Sequence, residues 1–205
     1  MIVPAIIAGT QDELDGMLDK VQGNTERVML DFMDGVFVPS KSLAFDIALP
    51  KGIDYEAHLM VHNPLDLIDK LSDIIKIVQL QVESLKNIEN AINGAKNLGF
   101  DVYLALNPDT PIKMVQSYLD VIDGVLVMTV QPGKYGSKFL PSALDKVKKL
   151  REMNAELTIE VDGGMNPDTS RLAKKAGANI FASGSYIMKS GDIGAAIKRL
   201  QEAVT

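Results

Sequence analysis

Two carboxylates and one imidazole stand at positions where the chain could do proton chemistry. The run Val28-Met29-Leu30-Asp31-Phe32-Met33-Asp34-Gly35 has the length and flanks of a buried strand, carries Asp31 near its carboxyl end, and is turned by a second acid and a glycine. A matching run, Leu157-Thr158-Ile159-Glu160-Val161-Asp162-Gly163-Gly164, delivers Asp162 to the end of another strand. Ionised aspartate is almost never fully buried without a partner, so each acid calls for a metal, a cation or a hydrogen-bond network. His58, inside Tyr55-Glu56-Ala57-His58-Leu59-Met60, adds a nitrogen donor. Asp31, His58 and Asp162 together make the donor set of a divalent-metal site. Taken one at a time, each reads as a strand-end residue that caps a loop.

A second group of residues suits an anion. Pro132-Gly133-Lys134-Tyr135-Gly136-Ser137-Lys138, Gly163-Gly164 and Gly184-Ser185 each follow a strand and let backbone donors come close to a ligand. Gly133, Gly136, Ser137, Gly163, Gly164, Gly184 and Ser185 are therefore the candidate phosphate-binding residues. Met33, Met60 and Met128 lie beside Asp31, beside His58 and at the end of a strand. Methionine is usually core filler, and here the three are expected to form an apolar floor beneath a substrate.

These groups must be held by alternating strands and helices. Strands are expected at 2–7, 27–32, 55–60, 74–80, 101–106, 124–130, 157–161 and 179–183. Helices are expected at 11–21 with Thr10 as N-cap, from Asn63-Pro64 onward, at 85–98 closed by Gly99, through Tyr118, and at 140–153, 167–176 and 191–203. The stretch 36–49 reads as irregular. Repeated strand-helix units imply a parallel sheet, either closed or doubly wound. Asp31, His58, Asn107, Gln131, Asp162 and Gly184-Ser185 all fall at strand carboxyl ends across many strands. Only a closed eight-stranded barrel, of the (β/α)8 TIM type, gathers all those ends at one mouth. A single barrel domain over 1–205 is expected.

Composition narrows the function classes. Twenty-one basic and 27 acidic residues give a net charge of −6, which disfavours nucleic acid and anionic membranes as partners. There is no cysteine, so thiolate metal sites, disulfides and cysteine nucleophiles are excluded. The first residues lack a signal-peptide pattern and no apolar run reaches membrane length, which points to a cytoplasmic protein.

The motifs Leu30-Asp31-Phe32-Met33-Asp34-Gly35-Val36-Phe37-Val38-Pro39, His58-Leu59-Met60, Val127-Met128-Thr129-Val130-Gln131-Pro132-Gly133, Glu160-Val161-Asp162-Gly163-Gly164-Met165-Asn166-Pro167-Asp168-Thr169 and Gly184-Ser185 resemble those of ribulose-phosphate 3-epimerases, in unchanged order from Pro4 to Ser185. The resemblance implies a ribulose-phosphate-binding barrel of the pentose phosphate pathway. It implies Asp31 and Asp162 as acid and base on opposite faces of a phosphorylated ketose, and a divalent ion (zinc, iron, manganese or cobalt) on Asp31, His58 and Asp162 that steadies an enediolate. A hexulose 6-phosphate epimerase and a catalytically silent phosphosugar-binding barrel are the alternatives; a homo-oligomer is compatible with all three. Four positions depart from the family pattern: Met29 replaces a histidine ligand, Ala5 a serine, Tyr135 a glycine, and Gln81 a histidine carried by many members. With one ligand lost to Met29, the metal is expected to bind weakly.

Overall fold

In the computed structural model, which describes residues 1–71 and 73–205, nine strands are found among the described residues. They are β1 (Ile2–Ile6), β2 (Arg27–Asp34), β3 (Lys41–Ser42), β4 (Asp54–Met60), β5 (Ile77–Gln81), β6 (Asp101–Leu106), β7 (Gly124–Met128), β8 (Ile159–Asp162) and β9 (Ile180–Ser183). Eight run parallel, and β1 pairs with both β2 and β9, so the sheet closes into the barrel expected from the scatter of polar strand ends. β3 is a short antiparallel ribbon on the end of β2, with Met33 opposite Ser42 and Asp34 opposite Lys41, inside the stretch read as irregular.

The helices are α1 (Gln11–Val21), α2 (Leu65–Ile68), α3 (Ile88–Asn97), α4 (Leu144–Met153), α5 (Pro167–Ala176), α6 (Ser185–Met188) and α7 (Ile193–Val204). Caps set their limits. Thr10 accepts from the Glu13 amide, and Asn166 and Thr169 form a capping box around Pro167. Asn87 caps α3 by accepting from the Asn90 amide, which is why that helix starts at Ile88 rather than at 85; a 3-10 turn occupies Val82–Ser84. The helix expected from Asn63-Pro64 closes after one turn, and the one expected through Tyr118 is two 3-10 turns, Ile112–Met114 and Gln116–Tyr118. Between residues 112 and 118 only Val115 is buried, too little apolar surface to hold a longer helix. Strand limits also shift: β2 runs on to Asp34 rather than ending at Phe32, and β8 spans Ile159–Asp162 rather than 157–161. Ile74 and Ile75 bond back to the Leu71 carbonyl as a turn, so β5 begins at Ile77, and β7 ends at Met128 rather than Val130. No helix among the described residues is long and apolar enough to cross a membrane.

Strand alternation sorts the residues into two layers. Leu30, Leu59, Leu80, Leu104, Val127, Val161 and Phe181 face outward and share one core with Leu14, Leu18, Ile92, Val147, Leu150, Ala173 and Leu200 of the helices. The inward face carries the small apolar cluster Val3, Ala5, Met29, Ala105, Leu126, Met128, Ile180 and Ala182, together with buried polar groups. These polar groups come in pairs two residues apart: Glu56 and His58 on β4, Gln79 and Gln81 on β5, Glu160 and Asp162 on β8. The lower members form their own network. Gln79 Nε2 donates to Glu160 Oε2 at 2.7 Å, and Arg27 Nη1 lies 3.5 Å from Glu56 Oε2. Burial, followed by the charge of Glu56, holds the Glu160 carboxyl well above its usual range.

Candidate active site

The upper members of those pairs meet at the carboxyl ends of the strands. Register places Asp31 opposite His58 across β2 and β4. His58 Nδ1 lies 3.0 Å from Asp31 Oδ1 and 3.9 Å from Asp162 Oδ2, and all three side chains are nearly or fully buried. Gln81 Nε2 sits 2.8 Å from His58 Nε2. An amide nitrogen only donates, so this bond puts the imidazole proton on Nδ1, aimed at Asp31. Gln81 Oε1 is buried without a partner. Turning the amide over would give that oxygen the Nε2 proton and leave Nδ1 as a lone-pair donor, so the same heavy-atom positions serve either tautomer.

The two carboxylates differ in their surroundings. Asp162 is pushed up to about 7, first by burial and then by the charge of Asp31, with His58 opposing. For His58, burial pulls downward, but the hydrogen bond and charge of Asp31 and the charges of Asp162 and Glu56 win and raise it. The backbone under Asp162 is fixed by Thr129, whose amide donates to the Asp162 carbonyl at 2.7 Å and whose hydroxyl donates to the Gly163 carbonyl at 2.6 Å.

Around this centre the loops after β7, β8 and β9 converge. One cavity is lined by Asp31, Met60, Met128, Asp162 and all seven candidate phosphate residues: Gly133, Gly136, Ser137, Gly163, Gly164, Gly184 and Ser185. Glycine is required at Gly163, where φ is +113° and a Cβ would come 2.4 Å from Val130 Cγ2. Met33 does not reach this cavity. It pairs with Met60 across β2 and β4 and with Ser42 of the β3 ribbon and packs against Val38, so of the three methionines expected as a floor Met60 and Met128 line the cavity and Met33 does not. Asn107 and Gln131 also stand outside: the Asn107 amide bonds Glu83, and Gln131 Nε2 donates to Asp109. The signal that sequence reasoning undervalued is Tyr135, whose ring enters the cavity from the loop after β7.

One donor atom from each of Asp31, His58 and Asp162 lies within 4.8 Å of the others, close enough to share one ion. A hard oxygen pair plus imidazole suits zinc, manganese, iron or cobalt, and a cation would compensate the two acids. This fit carries a pH signature. The Asp162 carboxyl is raised from an ordinary 3.8, so between roughly pH 4 and pH 7 the folded chain holds a proton that the unfolded chain has lost, and stability falls as pH rises through that window. Glu56 and Glu160, also raised by burial, act in the same direction. A divalent ion competes with the proton on Asp162. In thermal melts of chelator-treated protein, zinc is therefore expected to raise the melting temperature more at about pH 8 than at about pH 5. Equal shifts at both would take Asp162 out of the ligand set.

Comparison with known proteins places the chain in a family. The model of the ribulose-phosphate 3 epimerase family matches residues 1–188. Ribulose-phosphate 3-epimerase of Methanocaldococcus jannaschii is 38% identical over 182 residues, covering 85% of this chain and 77% of the relative. That of Bacillus subtilis is 31% identical over 211 residues, covering 98% and 97%. Among solved structures, KGPDC from Streptococcus mutans superposes with a TM-score of 0.74 over 99% of this chain and 96% of that one at 15% identity, which shows a shared fold. Matched from its first strand through α6, the chain belongs to the ribulose-phosphate 3-epimerase family.

Proposed function

We propose that the protein interconverts ribulose 5-phosphate and xylulose 5-phosphate by moving the proton on C3. Family membership makes it an epimerase acting on carbohydrates. The observation that supports the specific reaction is the approach of two buried carboxylates, Asp31 and Asp162, at the mouth of one barrel. Inverting a carbon next to a carbonyl takes one base to remove its proton and one acid to return a proton to the other face. In the metal-free chain, burial and the charge of Asp31 shift Asp162 to about 7, so this carboxyl can hold either charge state near neutrality, as an acid in one direction and a base in the other requires. Asp31 performs the complementary transfer, held in place by His58 Nδ1. A divalent ion on Asp31, His58 and Asp162, when bound, supplies positive charge that stabilises the negative charge developing on the ketose oxygens. Met60 and Met128 give the sugar an apolar bed, and the glycine loops after β8 and β9 offer backbone donors to its phosphate.

The deciding assay follows ribulose 5-phosphate in deuterated buffer. Xylulose 5-phosphate should form, with solvent deuterium at C3 in the product, and inorganic phosphate should inhibit competitively by occupying the loops around Gly163, Gly164, Gly184 and Ser185. Formation of no xylulose 5-phosphate by zinc- or manganese-supplied protein would rule the reading out. A phosphate ion bound elsewhere would remove those loops from the substrate site.

A further inference from the structure

Tyr135 belongs to a loop whose neighbours Lys134 and Ser137 are exposed or half-exposed, yet its side chain turns into the barrel. Its hydroxyl donates to the Ala5 carbonyl at 2.7 Å and accepts from the Ile7 amide at 2.8 Å, both at the carboxyl end of β1. The ring lies over Gly184, so closely that a Cβ there would sit 2.3 Å from Tyr135 Cε1. Burial raises the phenol above its ordinary value, as do the charges of Asp31 and Asp162, and it therefore sits there as the neutral hydroxyl.

With the ring in this place, the cavity that contains both aspartates has a volume of about 40 Å³. A single water needs about 10–15 Å³ of such space, and pockets that enclose small-molecule ligands run to about 300 Å³ and more. A ketopentose phosphate does not fit beside the ring, so the two exclude each other. The exchange leaves a specific vacancy on β1. A carbonyl and an amide in this partly buried place both need partners, and a single group that accepts from the amide and donates to the carbonyl is a hydroxyl, of an alcohol or of water. The phenol now fills that role. A polyhydroxylated substrate brings several groups able to replace it.

We propose that the Ala5 carbonyl and the Ile7 amide form a hydroxyl subsite for the ketose, and that Tyr135 is its resident occupant, displaced when substrate enters. Tyr135 is thereby a specificity-determining residue: a ligand must carry an alcohol that reaches β1 while its phosphate reaches the loops after β8 and β9. The proposal rests on the epimerase reading for the identity of the ligand.

The test combines three measurements with ribulose 5-phosphate on the full chain. Carbon-13 tyrosine NMR, with the Tyr135 signal identified by its loss in Tyr135→Phe, should show that signal moving to a solvent-exposed position at saturation. Calorimetry should show tighter binding by Tyr135→Gly, by roughly tenfold or more, since an open state populated at about 0.1–10% lowers apparent affinity by that fraction. Tyr135→Phe, which keeps the ring and loses both hydrogen bonds, should fall between parent and Tyr135→Gly. An unmoved Tyr135 signal with unchanged or weaker binding by both variants would overturn the subsite, and if the parent still epimerises, the function assigned above survives that failure. A moved signal and tighter binding without any turnover would support the subsite and overturn the epimerase reading instead.

Discussion

Asp162→Asn should lower the epimerisation rate by about 10²-fold to 10⁴-fold, the range typical of a general acid-base group, while the protein stays folded. The substitution keeps the shape of the side chain and its place on β8 but removes both the proton it gives and the lone pair that takes one. Stability should move the other way from activity. Burial and the charge of Asp31 disfavour the ionised form of Asp162, so a neutral amide relieves that cost in metal-free protein above about pH 7. Rate measurements at saturating ribulose 5-phosphate, paired with thermal melts, separate the two effects. Near-parental turnover by Asp162→Asn would remove this residue from proton transfer and leave Asp31 to be explained alone.

Met29→His should tighten zinc binding by at least about 10-fold to 100-fold, the size of change that even residues touching a metal's ligands produce. Met29 is fully buried, two residues before Asp31 on the same inward face of β2, and clusters with Ala5, Met128 and Val130 of the mouth. Thioether sulfur is a soft donor poorly matched to zinc or manganese, so Asp31, His58 and Asp162 are the three ligands expected in the parent. Imidazole at this position supplies a fourth. Calorimetric titration of parent, Met29→His and Met29→Leu with zinc gives the comparison, with Met29→Leu expected to match the parent. Equal affinity in all three would mean that some group other than residue 29 already completes the coordination.

The elements that surround the site were legible because each obeyed a local rule. α5 has the span expected for it, 167–176, and its ends are set by the Asn166 cap and by Gly177, where φ is +112°. α1 reads from Thr10 and the spacing of Leu14, Leu18 and Val21. Asp31, His58 and Asp162 were legible because a charged residue ending an apolar strand breaks its pattern. The short segments were misjudged where burial, rather than propensity, sets length, as at 112–118 and at Ile74-Ile75. Contacts over long sequence distance gave no local sign at all. The Tyr135 hydroxyl reaches 130 residues back to Ala5, and Gln81 reaches His58 from the neighbouring strand; both positions stood out in the sequence only as departures from a pattern. Met33 lies off the cavity for a related reason, since its packing against Val38 and its pairing with Ser42 of the β3 ribbon are contacts that composition does not signal.

The polar column inside the barrel has a bearing on how such a protein can change. Barrels of this kind are ordinarily filled with branched apolar side chains, whereas this one stacks Glu56 under His58, Gln79 under Gln81 and Glu160 under Asp162, with Arg27 against Glu56. Cohesion comes from the outer layer, where the strands meet the helices. The inner column is a separate tier beneath the rim that carries Asp31, His58 and Asp162, and its charge reaches that rim, since Glu56 acts on both His58 and Asp162. Variation there that keeps each buried group paired can retune the groups above it, which makes the barrel's own interior, as much as its loops, a place where a new chemistry could arise.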